Sequence, residues 1–181
     1  MTDDGLLTSS IHHLTRLGVG AVLAVVLLTS GCTYYSFTGA TIPSDIETIA
    51  IPLVDDRSNS PFVAIDQDLT DLLIERFVDQ TRLSLTTRTA EADAVLDVRI
   101  DGYSSQPTTV GGDDRATANR VTINVQVEYL DQVNDESFLS RAFTGQSNYD
   151  PAEGLGGQEE ASAIALEELA DDIFTQATSD W

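Results

Sequence analysis

Between Val121 and Tyr129 apolar and polar residues take strict turns. Val121, Ile123, Val125, Val127 and Tyr129 alternate with Thr122, Asn124, Gln126 and Glu128. A period of two sends the first set to one side of a strand and leaves the second to water or a partner. Ala94, Leu96, Val98 and Ile100 alternate in the same way with Val95, Asp97, Arg99 and Asp101, until Gly102 breaks the pattern as a bulge would. A first strand is predicted over residues 46–54, with Ile49, Ile51 and Leu53 on one face and Thr48 and Ala50 on the other. Pro52 has no N–H for a ladder, so that strand stops there or lies at an edge. Leu83 to Thr89 reads as a short strand, and Ser137 to Ser147 as a partner strand reached through a turn over 131–136.

Two segments follow the helical period instead. Ile65, Leu69, Leu72, Leu73 and Phe77 form one stripe over residues 65–80. Asp66, Asp68 and Asp71 stand in its N-terminal half, where the macrodipole favours negative charge, and Arg82 follows its end. Gly154 to Gly157 open a final helix that turns Ala161, Ile164, Ala165, Leu169, Ile173 and Ala177 inward and Glu167, Glu168, Asp171 and Asp172 outward. Residues 55–61 (DDRSNSP) and 106–115 (QPTTVGGDDR) are loops by composition. The order predicts an α+β fold: a two-layer sandwich with a mixed or antiparallel sheet of four to five strands and two amphipathic helices packed on one face. The other sheet face is polar and free to meet a partner.

The N-terminal region adds a different signal. Leu17 to Leu28 is an unbroken run of 12 apolar or glycine residues, preceded by Arg16 and followed by Thr29, Ser30, Gly31 and Cys32. A bilayer crossing needs about 20 apolar residues, whereas this run has the length of a signal-peptide core. Small residues directly before a cysteine suit a lipoprotein signal peptidase, with cleavage between Gly31 and Cys32 and fatty acyl chains (diacylglyceryl and palmitate) on the new terminus. The expected organisation is a signal peptide over 1–31, a lipidated tether over 32–44 and one α+β domain over 45–181. Tyr34, Tyr35 and Phe37 in the tether either pack on the domain or dip into the membrane interface.

Composition narrows the chemistry. The chain has 30 acids and 9 bases, and all 9 bases are arginine. Without Asp3, Asp4 and Arg16 of the leader, 28 acids face 8 bases, a formal charge of −20. His12, His13 and Met1 also leave with the leader. Lacking histidine and a free thiol, the remaining chain cannot assemble the common zinc and copper ligand sets. Its serines and threonines have no imidazole or lysine to activate them. Adjacent acids such as Asp55-Asp56 are expected by chance in so acidic a chain, and the single tryptophan is Trp181. A carboxylate-driven glycosidase is therefore a distant third reading, and no enzyme activity, metal or cofactor is expected. The Gly111-Gly112 pair lacks the lysine and hydroxyl of a phosphate-binding loop. With no basic stripe, nucleic acid is not an expected partner. Acid excess with arginine replacing lysine fits adaptation to concentrated salt better than a surface for basic partners.

Several stretches resemble the LptE family of lipopolysaccharide-assembly lipoproteins. They are CTYYSFTGATIP from Cys32 to Pro43, QTRLSL from Gln80 to Leu85, the strand from Val95 to Tyr103, NRVTINV from Asn119 to Val125, and the tail from Asp172 to Trp181. The resemblance implies a protein anchored by its acyl chains at the periplasmic face of the outer membrane. It would act there as plug and assembly partner of the LptD-type β-barrel, with lipopolysaccharide itself as a further ligand. Thr122 and Gln126, on the polar sheet face, are the domain residues nominated for partner contact. A second resemblance competes: the strand IETIAIPLV followed by a loop and the helix DLTDLLIERF is similar to periplasmic modules that regulate cell-wall synthases or form secretion-pore rings.

Overall fold

The computed structural model describes residues 42–110 and 116–179. Among the described residues the strands and α-helices follow in the order β1 (Thr48–Ala50), β2 (Asp55–Asp56), α1 (Ile65–Asp79), β3 (Ser84–Leu85), β4 (Ala94–Val110), β5 (Ala116–Asp131), β6 (Glu136–Tyr149) and α2 (Gly154–Ser179), with short 3-10 turns at Thr89–Glu91 and Pro151–Glu153. The sheet has six strands in the order β3-β1-β4-β5-β6, with β2 pairing β4 off this path. β1 runs parallel to β3 and β4, and β2 is also parallel to β4. The β4–β5–β6 meander is antiparallel. Both helices pack on one face of this mixed sheet, so the α+β fold expected from the alternation is present, with one or two more strands.

The apolar sets predicted for β4 and β5 form the sheet side of the core. Leu96, Ile100, Val121, Ile123, Val127 and Tyr129 are all fully buried. From α1, Ile65, Leu69, Leu73 and Phe77 close over them. Phe77 makes edge contacts with Tyr129 (centroids 5.8 Å apart) and Phe174 (5.3 Å), and Tyr129 touches Phe138 (5.3 Å). One aromatic cluster thus joins α1, β5, β6 and α2, a favourable geometry beyond the area it buries. The bulge expected at Gly102 is there: the β4–β5 register shifts between Ile100 and Gly102. That shift carries Tyr103 and Ser105 to the helix side. The Tyr103 hydroxyl meets Ser162 Oγ at 2.9 Å and accepts from Gln158 Nε2 at 2.9 Å, fastening the first half of α2.

Several local expectations give way to tertiary packing, among them the loop over 55–61, whose first two residues pair with β4 as β2. Leu53 does not continue the buried face of β1; it is 63% exposed, while Val54 is 2% exposed. Pro52 ends the ladder and rephases the chain, and the Val54 N–H then donates to Thr70 Oγ1 (3.0 Å) on α1. The strand predicted over 83–89 shrinks to Ser84–Leu85. Residues 106–110 are not loop: β4 continues through them against 116–120, with irregularities after Pro107 and Thr109. Backbone pairing in a long hairpin needs no apolar side chain, so polar composition concealed it. On α2, Ile164 is 48% exposed and Leu166, 2% exposed, takes its place inside.

Glycine decides how α2 seats. A Cβ at Gly145 of β6 would lie 2.2 Å from the Ala165 carbonyl oxygen and 2.7 Å from Leu169 Cγ. The helix backbone comes this close because Ala161 and Ala165 are small and buried. At the other end of the sheet, the Asp93 carboxylate accepts from the Glu47 N–H (3.0 Å), the Thr48 N–H (2.9 Å) and Thr48 Oγ1 (2.9 Å), pinning β1 beside β4. These bonds hold the Asp93 carboxyl below the usual carboxylate range, the Glu47 N–H contributing most. Arg82 donates to the carbonyls of Ile42 (3.2 Å), Pro43 and Ile46 (3.2 Å), securing the entering segment, in which Ile42 is already buried.

Candidate functional site: the open sheet face

Period-two alternation that fills the core on one side leaves a polar surface on the other. On β5 this surface carries Thr122, Asn124, Gln126 and Glu128, each flanked across the ladder. Thr122 lies between Ser104 and Gln146, and Gln126 between Arg99 and Ala142. Thr122 and Gln126 therefore share a face, about 13 Å apart at the rise of an extended strand. Both are half-buried, while Asn124 between them is exposed and accepts from Thr144 Oγ1 at 2.9 Å. The surface is rich in donors and acceptors held on a rigid three-stranded scaffold. One small apolar cluster, Ala50, Ala92 and Val95, closes it at the β1 end.

Beside Gln126 the face deepens into a cleft of about 310 Å³ lined by Leu53, Asp55, Arg57, Asp97, Arg99 and Glu128, among others. Its two arginines are already engaged. Arg57 pairs with Asp55 at 2.6 Å and Arg99 with Asp101 at 2.6 Å. The hydrogen bond to Asp101 raises the Arg99 guanidinium above its ordinary range, and the same contact lowers the Asp101 carboxyl. An anionic ligand reaching these guanidinium groups competes with the carboxylates of Asp55, Asp97, Asp101 and Glu128 around them. A neutral hydrogen-bonding surface meets no such competition.

Of the residues nominated from the sequence, the structure brings Thr122 and Gln126 onto one surface; Gly31, Cys32, Tyr34, Tyr35 and Phe37 lie outside the described residues. The cleft was not foreseen. Asp97 and Arg99 were legible as the polar phase of β4, but Arg57 comes from a loop and Leu53 from a broken strand, and neither carries a local signal. The free edge of β6 is partly guarded, since Glu168 Oε2 of α2 accepts from the Gln146 N–H at 3.0 Å. Among the described residues no group of three acids, histidines or cysteines is placed to hold a metal ion. No helix among them is long and apolar enough to cross a membrane.

Among the described residues, helices cover one face of the sheet and the opposite face is polar, a two-layer α+β architecture that by itself assigns no activity. Comparison with known proteins gives it a family. The model of the LptE family, described as lipopolysaccharide-assembly, matches residues 46–177, and the chain belongs to that family. This is a family of assembly proteins of the cell envelope, not of enzymes. No curated protein matches the chain. Solved structures of similar fold include a protein of Xanthomonas campestris (14% identity, 73% of this chain and 85% of that one, TM-score 0.54). Another is the rare lipoprotein B of Shewanella oneidensis (13% identity, 72% and 92%, TM-score 0.51). At these identities the likeness concerns the fold.

Proposed function

We propose that this protein is a lipid-anchored lipoprotein of the outer membrane that plugs and helps assemble an LptD-type β-barrel, supporting lipopolysaccharide insertion in the outer leaflet. Its signal peptide ends at Gly31, its acyl chains are carried by Cys32, and residues 32–44 link the α+β domain to the membrane, joining the domain where Ile42 enters the core. The observation that carries this reading is the uncovered polar sheet face of a chain whose family works in lipopolysaccharide assembly. The lumen of an outer-membrane barrel is polar, so a plug docks through hydrogen-bonding side chains such as Thr122 and Gln126 and needs no apolar patch. The carboxylates of Asp55, Asp97 and Glu128 around Arg57 and Arg99 repel phosphorylated lipid, which favours the role of plug over that of a carrier.

Photo-crosslinkable residues at positions 122 and 126, tested in intact envelopes, should give one adduct with an outer-membrane barrel. Adducts with a soluble cell-wall enzyme, or between copies of the chain, would instead support the regulator or ring reading. Labelled palmitate should enter the wild-type chain and not Cys32→Ser. Equal labelling of both would remove the anchor.

A further inference from the structure

The opposite layer holds a second surface, independent of which partner covers the sheet. Between α1 and α2 runs a groove made of two adjoining hollows of about 390 and 280 Å³, which share Asp68, Ala163 and Leu166. Its floor and end wall are apolar: Phe62, Val63, Leu72 and Leu166 line it. Val63 is 97% exposed, and Phe62 is held in place against Tyr103 by an edge contact of 6.2 Å. Carboxylates form the rim, with Asp68, Asp71 and Glu75 from α1 facing Glu159 and Glu167 from α2.

Acidity here exceeds the molecular average. α1 and α2 carry 11 acids and a single base, Arg76, which is already paired with Asp171 at 2.5 Å. The sheet cleft, by contrast, sets Arg57 and Arg99 among Asp55, Asp97 and Glu128. Adaptation to salt accounts for surface carboxylates, but not for an apolar floor running between them.

We propose that the α1–α2 groove docks a cationic amphipathic helix of a protein partner. The apolar stripe of such a helix would lie on Phe62, Val63 and Leu72, and its lysines or arginines would reach the carboxylate rims. From Ile65 to Glu75 the groove follows α1 for about 15 Å, and Val63 extends it beyond the helix start, which together suit a helix of about 10–12 residues. Charge complementarity sets the sign of the occupant, and the two facing rims set its amphipathic pattern.

The test uses the full chain after leader removal and a fluorescent 14-residue peptide of leucine and lysine in helical period. The controls are a peptide of the same composition with the period scrambled and one with glutamate for lysine. Anisotropy at physiological ionic strength should show the amphipathic peptide binding at least tenfold more tightly than either control. Ala163→Arg, at an exposed position within the groove, should weaken binding at least tenfold. Asp172→Asn makes the same unit change of charge at an exposed position away from the groove and should stay within twofold. Val63→Ser should weaken binding severalfold without altering charge. Equal binding of the scrambled peptide, equal effects of Ala163→Arg and Asp172→Asn, or no binding at all would overturn the proposal. Barrel crosslinks from positions 122 and 126 report on the sheet face separately, so the two readings fail independently.

Discussion

Gly145 shows how much a single residue can fix. The contact it makes with the α2 backbone leaves no room for a methyl group, and the neighbour it would strike is a carbonyl, which cannot rotate away. Gly145→Ala should therefore destabilise the domain by about 1–3 kcal/mol, the usual range for overpacking. A lowered urea midpoint with unchanged slope would register this; an unchanged midpoint would mean that α2 sits farther from β6. Asp93 makes the complementary case through charge. Its folded-state carboxyl is held below the ordinary value, so its contribution is complete above about pH 4, the unfolded carboxylate range. That contribution is lost as pH falls through the lower folded value. Asp93→Ala should cost about 1–3 kcal/mol at pH 7, because it leaves the Glu47 and Thr48 donors without their acceptor. Denaturation followed from pH 7 to pH 2 should also show a shallower acid limb in the variant than in the wild type.

Elements meet through pairings that cross long stretches of sequence. α1 and α2 touch along apolar faces, yet their rims repel, and Arg76 is the base between them. Hydrogen bonding to Asp171 raises the Arg76 guanidinium above its ordinary range, with Glu75 and Glu167 adding attraction. The Asp171 partner is largely exposed, so the pair itself is worth less than about 1 kcal/mol. Arg76→Gln should lower the melting temperature by a few degrees in dilute buffer and by much less in 1 M NaCl. A loss independent of salt would assign Arg76 a packing role instead. The β5–β6 turn is fixed by hydrogen bonds to one side chain. Asp131 accepts from the N–H groups of Val133 (2.7 Å) and Asn134 (2.9 Å), while Asp135 takes a left-handed conformation at φ 56°. Asp and Asn tolerate such turns because their short polar side chains bond to nearby backbone.

For the molecule as a whole, charge is the dominant condition-dependent quantity. A formal charge of −21 over 181 residues opposes compaction in dilute buffer. At 1 M salt the Debye length is about 3 Å, and most of that repulsion is screened. Melting temperature should accordingly rise steeply between 50 mM and 2 M NaCl. Equal values at both ends would show that the carboxylates are spaced widely enough for repulsion to be negligible. Charge is also distributed by layer, with acids concentrated on the helices and a mixed population on the sheet cleft. An anionic surface meets less repulsion from the sheet side than from the helix side.

Alternation at period two announced β4 and β5, and the stripe from Ile65 to Phe77 announced α1, because both signals lie within one element and follow from backbone geometry. The amino-acid order by itself also set the polar face that carries Thr122 and Gln126, the charge, and the missing chemical groups. Tertiary structure decided the rest: that Leu53 and Ile164 point outward, that Ile42 joins the core, and that polar residues 106–110 extend a hairpin. It alone placed Arg57 beside Arg99 and opened a groove between helices nearly a hundred residues apart. The reason is separation. The bonds from Asp93 to Thr48 span 45 residues and the pair Arg76–Asp171 spans 95, and no local periodicity encodes which distant surfaces will meet.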